Sequence, residues 1–380
     1  MEILKETFGV VGYLPPFLFV LTLVVFFHEL GHFLVARACG VSVEIFSIGF
    51  GRELFGWNDR RGTRWRVAMI PLGGYVKFLG DDGAASTPDR DAIAAMSEAE
   101  RSGAFQAKSV AARAAIVAAG PFANFLLAIV IFSALFAVGG RLDIAAKVGG
   151  LTPGGVAEIA DVRQGDTIVA IAGQRVESFM DVMRIVSERA GEPTALVLDR
   201  DGRMIEKTVT PRLVEEKSRF GVQRRGLLGI QASRDPADRR LHRFGPLEAV
   251  GAGISETWFV VVRTGGYLVG IVTGRESIDQ LGGPLRVAQI SGEVAEIGFS
   301  ALINLAAVLS VSIGLLNLFP VPMLDGGHLV YYAAEAVRGR PLSERAQDIG
   351  FRIGLALILM LVLVSSWNDI LHLASLRRGG

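Results

Sequence analysis

The sequence predicts a polytopic α-helical membrane protein with about four transmembrane helices, a membrane-associated β-hairpin loop and an inserted α/β domain. The 380 residues are 51% hydrophobic and include 46 glycines, which is too apolar for an ordinary soluble domain, yet 20% of them are charged. The charges are segregated, because long uncharged stretches alternate with polar segments. The formal net charge of +1 gives no indication of nucleic acid or another polyanionic partner.

Four stretches reach or approach the roughly 20 apolar residues that cross the hydrocarbon layer. They cover residues 7–27, with apolar character continuing to Val35, and residues 114–140, 297–324 and 349–367. The last of these is shorter and carries an arginine near one end. The first stretch follows one lysine and two glutamates and lacks a small-residue cleavage site, which favours a retained helix over a cleaved signal peptide.

The positions of arginine and lysine near the span ends predict the orientation in the membrane. Six arginines follow the first span and three basic residues precede the second, so the loop between these spans is expected in the cytoplasm. Both termini and the large polar insert are then extracytoplasmic. The predicted organisation is a first transmembrane helix (1–36), a cytoplasmic loop (37–113), a second transmembrane helix (114–140), an extracytoplasmic domain (141–231), membrane-surface helices (232–296), a third transmembrane helix with a cytoplasmic link (297–348), and a fourth transmembrane helix with a tail (349–380).

The first predicted helix contains the motif HELGH, residues 28–32. His28 and His32 are four residues apart, so on a helix they share one face and can bind the same metal ion. Glu29 stands beside them, where it can take a proton from a metal-bound water. An uncompensated charge at the centre of a membrane helix costs about 2.5 to 3.5 kcal/mol, so ionisable groups this close together within a span indicate a shared role.

A catalytic zinc site needs a third protein ligand, and the third predicted span ends at one candidate. Asp325 follows "NLFPVPML", and the first and third spans run in the same direction, so HELGH and Asp325 fall near the same cytoplasmic face. His328 is a competing candidate for this position. Without HELGH, Asp325 would instead be interpreted as a residue of a turn beside a helix.

Three motifs in this order, together with an extracytoplasmic PDZ-like insert, resemble the site-2 protease family of intramembrane zinc metalloproteases, and most closely its bacterial regulators of sigma-factor signalling. They are HELGH, "GPFANFLLA" at 120–128 and "NLFPVPMLDGGHL" at 317–329. The resemblance implies Zn²⁺ as cofactor, with His28, His32 and Asp325 as its ligands and Glu29 as the catalytic base. It also implies a single-span membrane protein as substrate, either an anti-sigma factor or a remnant signal peptide, and a location in the bacterial inner membrane.

By the same resemblance, Asn317, Pro320 and Pro322 hold an unwound segment of the substrate. A protease must unwind a transmembrane helix to reach its backbone, and the freed N–H and C=O groups then need new partners. Asn317 can donate and accept hydrogen bonds, and Asn124 can do the same or orient a metal ligand. For both asparagines, a packing hydrogen bond between helices is an equally open interpretation.

The segment "RWRVAMIPLGGYVKFLGDD", residues 64–82, alternates polar and apolar residues until Pro71 and the pair Gly73 and Gly74. We predict a hairpin here that matches the membrane-associated β-loop of the family and can add a strand to an extended substrate. A surface hairpin without substrate contact remains an alternative. Residues 83–110 are expected to form a solvated helix and a linker.

The polar insert is predicted to be a mixed α/β domain. Its order of turn, short helix, strand "DTIVAI", amphipathic helix and a hairpin around Asp201 and Gly202 resembles a circularly permuted bacterial PDZ domain. The segment "ADV" at 160–162 departs from the Ala-Gly-Leu usual in such domains. The domain could bind an envelope peptide, such as the product of an upstream protease, or exclude substrates with bulky external domains. Residues 244–290 are expected to be helices on the outer membrane face.

Two other functions are compatible with parts of this pattern. A catalytically silent membrane scaffold could use the PDZ-like domain alone, but it would not need HELGH and Asp325. A metal transporter could use His28, His32 and Asp325 as a transit site, although Glu29 beside the ligands suits hydrolysis better. Metal flux into proteoliposomes would identify a transporter.

Overall fold

The architecture is described by a computed structural model for residues 2–81, 90–218, 221–274 and 283–378. The helices are α1 (Glu2–Ala38), α2 (Arg90–Ala95), α3 (Glu98–Ser102), α4 (Val110–Gly139), α5 (Val156–Ile159), α6 (Phe179–Glu188), α7 (Pro246–Val272), α8 (Pro284–Ile297), α9 (Phe299–Asn317), α10 (Asp325–Arg338) and α11 (Glu344–Arg378). The strands are β1 (Val43–Asn58), β2 (Arg64–Phe78), β3 (Arg141–Ile144), β4 (Val148–Leu151), β5 (Thr167–Ile171), β6 (Gln174–Arg175), β7 (Thr194–Arg200), β8 (Arg203–Val209), β9 (Arg212–Ser218), β10 (Gly221–Leu227), β11 (Ile230–Ala232) and β12 (Arg239–His242).

The described residues form two compact units. One, the helical unit, comprises the residues before Phe136 and those from Leu247 onward, and the other, the insert, comprises Phe136–Pro246. Parts of five predicted segments lie outside the described residues, namely residue 1 of the first transmembrane helix, 82–89 of the cytoplasmic loop, 219–220 of the insert, 275–282 of the membrane-surface helices and 379–380 of the tail.

The four predicted spans are all helices. Within the described residues, the candidate membrane spans by length and hydropathy are Gly12–Ala38, Val110–Gly139, Phe299–Asn317 and Arg345–Asp369. These match the four spans predicted from the sequence and make the chain a multi-pass membrane protein. The helix α7 is continuous through its arginine and paired glycines and is not among the four.

The third span is shorter than the uncharged stretch that predicted it. We expected a span over 297–324, but α9 ends at Asn317, and residues 318–324 are not helical before α10 begins at Asp325. The two prolines in this connection explain the break, because each lacks an N–H donor and each disfavours the helical conformation in the residue before it. Met323, in the same connection, has a φ of 83°, which few residues other than glycine adopt.

The hairpin also differs from the expectation. Residues 64–78 form one strand, β2, and their partner is β1, which the sequence analysis did not assign. The break at Pro71, Gly73 and Gly74 is a bulge and not a turn, because Ile48 pairs with Gly74 while Phe50 pairs with Ile70. Residues 45–48 of β1 pair with both ends of β2, with residues 74–77 and with residues 64–67.

The helix α1 is the centre of the helical unit. It packs against α8, α9 and both strands of the hairpin. Its C-terminal half joins an aromatic and aliphatic core in which Phe33 and Phe46 are buried. Its N-terminal half packs on α9 through a contact of Val20 with Leu302 and Ala306. Burial of this apolar surface between helix and hairpin fixes the position of the HELGH motif relative to β2.

The insert contains the predicted elements in the predicted order. Its four-stranded sheet has the order β6-β5-β7-β8, and α5 and α6 pack on a core that includes Ile168, Leu196 and Leu198. The unusual "ADV" segment has a local explanation, since Asp161 has a φ of 58°, a conformation that favours glycine and that aspartate tolerates. The insert extends past the predicted end at 231, because β12 pairs with β3.

Candidate metal centre

Three side chains from α1 and α10 meet inside the helical unit. The Nε2 atoms of His28 and His32 lie 3.2 Å and 3.5 Å from Oδ2 of Asp325. The two Nε2 atoms lie 3.3 Å from each other. The histidines reach the same point because they are one helical turn apart, and Asp325 reaches it because it opens α10 directly after the non-helical connection.

These spacings fit a metal ion bound by all three side chains. Zinc forms bonds of about 2.0 to 2.2 Å with imidazole nitrogen and carboxylate oxygen, which places two ligands of a tetrahedral site about 3.3 to 3.5 Å apart. Oδ2 of Asp325 is buried and has no hydrogen-bond partner of acceptable geometry within the described residues. A buried acceptor in this condition is unfavourable unless a cation satisfies it. Two imidazoles and one carboxylate are also a donor set found in catalytic zinc sites.

The ring of each histidine is held by its other nitrogen. Nδ1 of His32 donates to the backbone carbonyl of Ile116 at 2.9 Å. Nδ1 of His28 lies 3.3 Å from the side-chain amide of Asn124, which is fully buried. A histidine that binds metal through Nε2 carries its proton on Nδ1, so the amide of Asn124 must present its oxygen to the ring. That orientation also gives a partner to Oδ1, which otherwise has none.

A cavity of about 200 Å³ opens beside the three side chains. Glu29 lines it, next to the two histidines that flank it in the sequence. The lining residues are His28, Glu29, His32, Gly74, Tyr75, Val76, Phe78, Phe105, Val117, Asn317, Met323, Asp325, His328 and Tyr332. The cavity is therefore bounded by α1, α4 and the segment before it, the last residues of β2, the end of α9, and α10 with the connection that precedes it.

Some of the other residues singled out from the sequence line the cavity, and others do not. Asn317 and Gly74 line it, and Gly73 sits in the bulge of β2 beside the ring of Phe50. His328 lines it too, but it is not one of the three converging side chains. Pro320 and Pro322 are not among the lining residues, nor is Asn124.

Pro322 has a packing contact of its own. Its backbone and ring lie against Gly354 of α11, where an added Cβ would collide with them. A contact with substrate at Pro320 or Pro322 therefore stays a prediction. For Asn124, the contact with His28 favours one of the three interpretations considered from the sequence, that of orienting a metal ligand.

Several glycines that sequence reasoning did not assign are needed for this geometry. A Cβ at Gly120 would overlap the imidazole of His32, and a Cβ at Gly31 would overlap the backbone of α4 at Ala119. Gly326 and Gly327 are similarly close to carbonyl groups of the connection between α9 and α10. The signal in the sequence was the placement of these glycines inside or beside the motifs, but only the structure shows what each one touches.

The hairpin is tied to the end of α1. Arg37 forms an ion pair with Asp59 in the turn between β1 and β2, and its guanidinium lies over the ring of Phe33. Desolvation opposes ionisation of Asp59, but hydrogen bonds from Trp65, from backbone amides and from Arg37 outweigh it and lower its pKa to about 2. The turn is thus held by a carboxylate that stays ionised at neutral pH.

Comparison with known proteins gives the same family for nearly the whole chain. A family model described as Peptidase family M50 matches residues 16–361. A putative zinc metalloprotease of Rhizobium meliloti (strain 1021) is 49% identical over 358 residues, which cover 94% of this chain and 96% of the relative. One of Agrobacterium fabrum is also 49% identical, over 97% of this chain and 98% of the relative. Metalloprotease MmpA of Caulobacter vibrioides is 41% identical over 94% of this chain and 95% of its own length.

These similarities confirm the resemblance seen in the three sequence motifs. The matched region contains HELGH, "GPFANFLLA" and "NLFPVPMLDGGHL", and therefore all three side chains of the candidate metal centre. The coverage is close to complete in both directions, so the similarity is not confined to a shared domain. The chain belongs to peptidase family M50.

Proposed function

We propose that this chain is an intramembrane zinc metalloendopeptidase that cuts a peptide bond within or near the transmembrane segment of a single-span membrane protein. The observation that carries the proposal is the convergence of His28, His32 and Asp325 at 3.2 to 3.5 Å beside Glu29, in helices long and apolar enough to cross a membrane. Family membership and the names of the relatives support zinc and proteolysis.

The residues of the site have separable roles in this reaction. His28, His32 and Asp325 would hold the zinc ion. Zinc bound there would polarise the scissile carbonyl and lower the pKa of a coordinated water to about 7. Glu29 accepts a proton from the attacking water and delivers it to the leaving nitrogen as the carbon–nitrogen bond breaks. Ile116 and Asn124 keep the imidazoles oriented while this proton moves.

The substrate segment must be extended where it is cut, and two parts of the cavity wall can stabilise it there. The end of β2 lines the cavity through Gly74, Tyr75, Val76 and Phe78, so an unwound segment beside it can pair with the strand backbone. Asn317 also lines the cavity and offers an amide donor and acceptor. Both supply hydrogen bonds to backbone groups that leave a membrane helix.

The substrate class and the setting are part of the same proposal. The setting would be the bacterial inner membrane, as the family resemblance implies. Both termini and the insert would be extracytoplasmic, because basic residues are concentrated in the loop between the first two spans. The substrate would be an anti-sigma factor or a remnant signal peptide, processed in regulated intramembrane proteolysis. The insert would act as a PDZ-like domain that binds an envelope peptide or excludes substrates with large external domains.

The test is cleavage of a tagged single-span substrate by the purified protein in detergent. Wild type is compared with Glu29→Gln and with chelator-treated wild type, and zinc content is measured in each sample. We expect wild type to cut, chelator to abolish cleavage, and Glu29→Gln to retain zinc but lose activity by at least a hundredfold, since it removes the proton acceptor. Readdition of zinc to the chelated enzyme should restore cleavage.

Three results would contradict the proposal. A wild-type protein free of zinc and inactive on every single-span substrate would leave the PDZ-like insert as the functional part. Full activity of Glu29→Gln would show that the proton acceptor lies elsewhere. Zinc flux into proteoliposomes without cleavage would instead identify a transporter.

A further inference from the structure

Asp325 is the metal-centre residue that lacks an obvious support. The histidines belong to α1, which is packed on several neighbours, whereas Asp325 opens the 14-residue helix α10. Residues 318–324 separate this helix from α9 and are not helical, so α10 is not a continuation of α9. The position of Asp325 therefore depends on what α10 itself contacts.

One face of α10 carries the side chains that make these contacts. Asp325, His328, Tyr332 and Glu335 are spaced by three, four and three residues, which places them on one stripe of the helix. The first two line the metal cavity, and Tyr332 is both a cavity residue and a buried member of the core beneath the hairpin. Glu335 lies at the far end of the stripe, ten residues or about 15 Å from Asp325 along the axis.

Arg113 of α4 reaches this far end. Its guanidinium donates to Oε1 of Glu335 at 2.6 Å, and the same group lies 4.9 Å from the ring centre of Tyr332. Its Nε atom donates to the backbone carbonyl of Lys108 at 3.2 Å, which ties the side chain to the segment just before α4. The Arg113 and Glu335 side chains are only 10% and 15% exposed, so the pair is shielded from solvent and salt.

The same short stretch of α4 also holds a histidine of the metal centre. Ile116, three residues after Arg113, accepts the hydrogen bond from His32. One turn of α4 is thus bonded to α1 through Ile116 and to α10 through Arg113. Because the three ligands come from two helices, their convergence requires a common reference, and this turn supplies it.

We propose that Arg113 and Glu335 form a positioning pair that sets α10 against α4 and thereby holds Asp325 at the metal centre. This inference rests on the proposed function in that it takes the bound ion to be zinc. It assigns no chemistry to the pair, which touches neither substrate nor metal. Its consequence is that loss of either partner weakens metal binding while leaving all three ligands in the chain.

Metal retention measures this consequence directly. Full-length variants Arg113→Met and Glu335→Gln are purified in detergent and titrated with a buffered zinc chelator, and zinc per chain is measured at each step. We expect the free-zinc concentration at half occupancy to rise about 10- to 100-fold in both, the range typical of residues that support metal ligands. Cobalt substituted for zinc should show an altered visible spectrum in both variants, because the spectrum reports the arrangement of the ligands.

Matched variants separate a positioning role from a general loss of folding. Arg338→Met removes a charge from an exposed position on the same helix and should bind zinc and cobalt like wild type. The exchange Arg113→Glu with Glu335→Arg restores an ion pair of reversed sense and should recover part of the lost affinity. If Arg113→Met does not fold, Arg113→Lys, which keeps the charge, is titrated in its place.

Unchanged zinc affinity in both single variants would overturn the positioning role and leave the protease proposal intact. A wild-type chain without zinc would overturn both. A third pattern would also contradict the proposal: reduced zinc affinity in the single variants, no recovery in the exchange variant, and a wild-type cobalt spectrum in the single variants. That pattern indicates a smaller fraction of folded protein and not displacement of Asp325.

Discussion

Asn124 and His28 meet in a fully buried contact, with 3.3 Å between the side-chain amide and ring Nδ1. The backbone carbonyl of Asn124 in turn accepts a hydrogen bond from Ser310 of α9 at 2.9 Å. A residue that looked equally suited to substrate contact is thereby tied to two helices and to a candidate ligand. We therefore expect replacement of Asn124 to change metal binding.

Replacing Asn124 tests this assignment. Asn124→Leu removes the acceptor for His28 and should weaken zinc binding about 10- to 100-fold. Asn124→Asp keeps an acceptor at the same position and should retain zinc near the wild-type level. Chelator titration of both proteins is the measurement. If Asn124→Leu keeps its zinc and shows only a raised KM for substrate, the asparagine acts on substrate and not on His28.

Gly120→Ala should disable the metal centre through a single methyl group. The added Cβ would overlap the imidazole of His32, so the ring must leave its position or α1 must move away from α4. We expect loss of both zinc and cleavage activity. Gly139→Ala lies at the end of the same helix with nothing within 4 Å of its Cβ, and it should behave like wild type. Equal zinc content in the two variants would contradict the overlap.

Gly74→Ala should have a different signature. Its Cβ would lie 2.8 Å from the carbonyl of Ser47, 2.9 Å from Val25 and 3.1 Å from Cγ of Glu29, and Gly74 itself lines the cavity. We expect at least a tenfold fall in kcat/KM with zinc content unchanged. Gly12→Ala, in an open position on α1, is the control. Loss of zinc in Gly74→Ala would place this residue with the metal ligands instead.

The parts of this structure that follow a local rule were predictable from the sequence. The shared face of His28 and His32 follows from helical periodicity, and the meeting of Asp325 with them follows from the predicted direction of the spans. The end of α9 at Asn317 was not predicted, because hydropathy continues unchanged through Leu324 and only the proline chemistry marks the break.

The missed features depend on contacts between distant segments. The strand β1 contains three glycines and charged residues that obscure its alternation, and it is stabilised as a strand by pairing with β2. Arg113 and Glu335 are 222 residues apart in the chain, and no periodic pattern connects them. The glycines at 31 and 120 are visible in the sequence, but the atoms of the neighbouring helix that lie against each of them are not.

The insert allows a prediction that is independent of the metal centre. Asp166 is 1% exposed, and its carboxylate accepts hydrogen bonds from Arg200 at 2.7 and 2.8 Å and from the backbone amide of Arg163 at 2.8 Å. Desolvation opposes its ionisation, but the bonds from Arg200 and Arg163 outweigh it and hold the pKa of Asp166 below its usual value. The pair joins β7 to the turn before β5.

A lowered pKa in the folded state stabilises the insert above the unfolded pKa of Asp166, about 3.9, and this contribution is lost as pH falls through the lower folded value. Arg200→Met leaves the Asp166 carboxylate without its charged partner and should lower the stability of the insert at pH 7. The variant should also lose less further stability than wild type on acidification, because protonation then relieves an unpaired charge. Hydrogen exchange in peptides from β5 and β7 is measured under native conditions at a series of pH values from 7 downward. Protection at pH 7 reports the stability lost in the variant, and its change with pH reports the further loss on acidification. Arg203→Met, at an exposed neighbouring position, is the control, and equal protection in the two variants at pH 7 would show that the pair does not stabilise the insert.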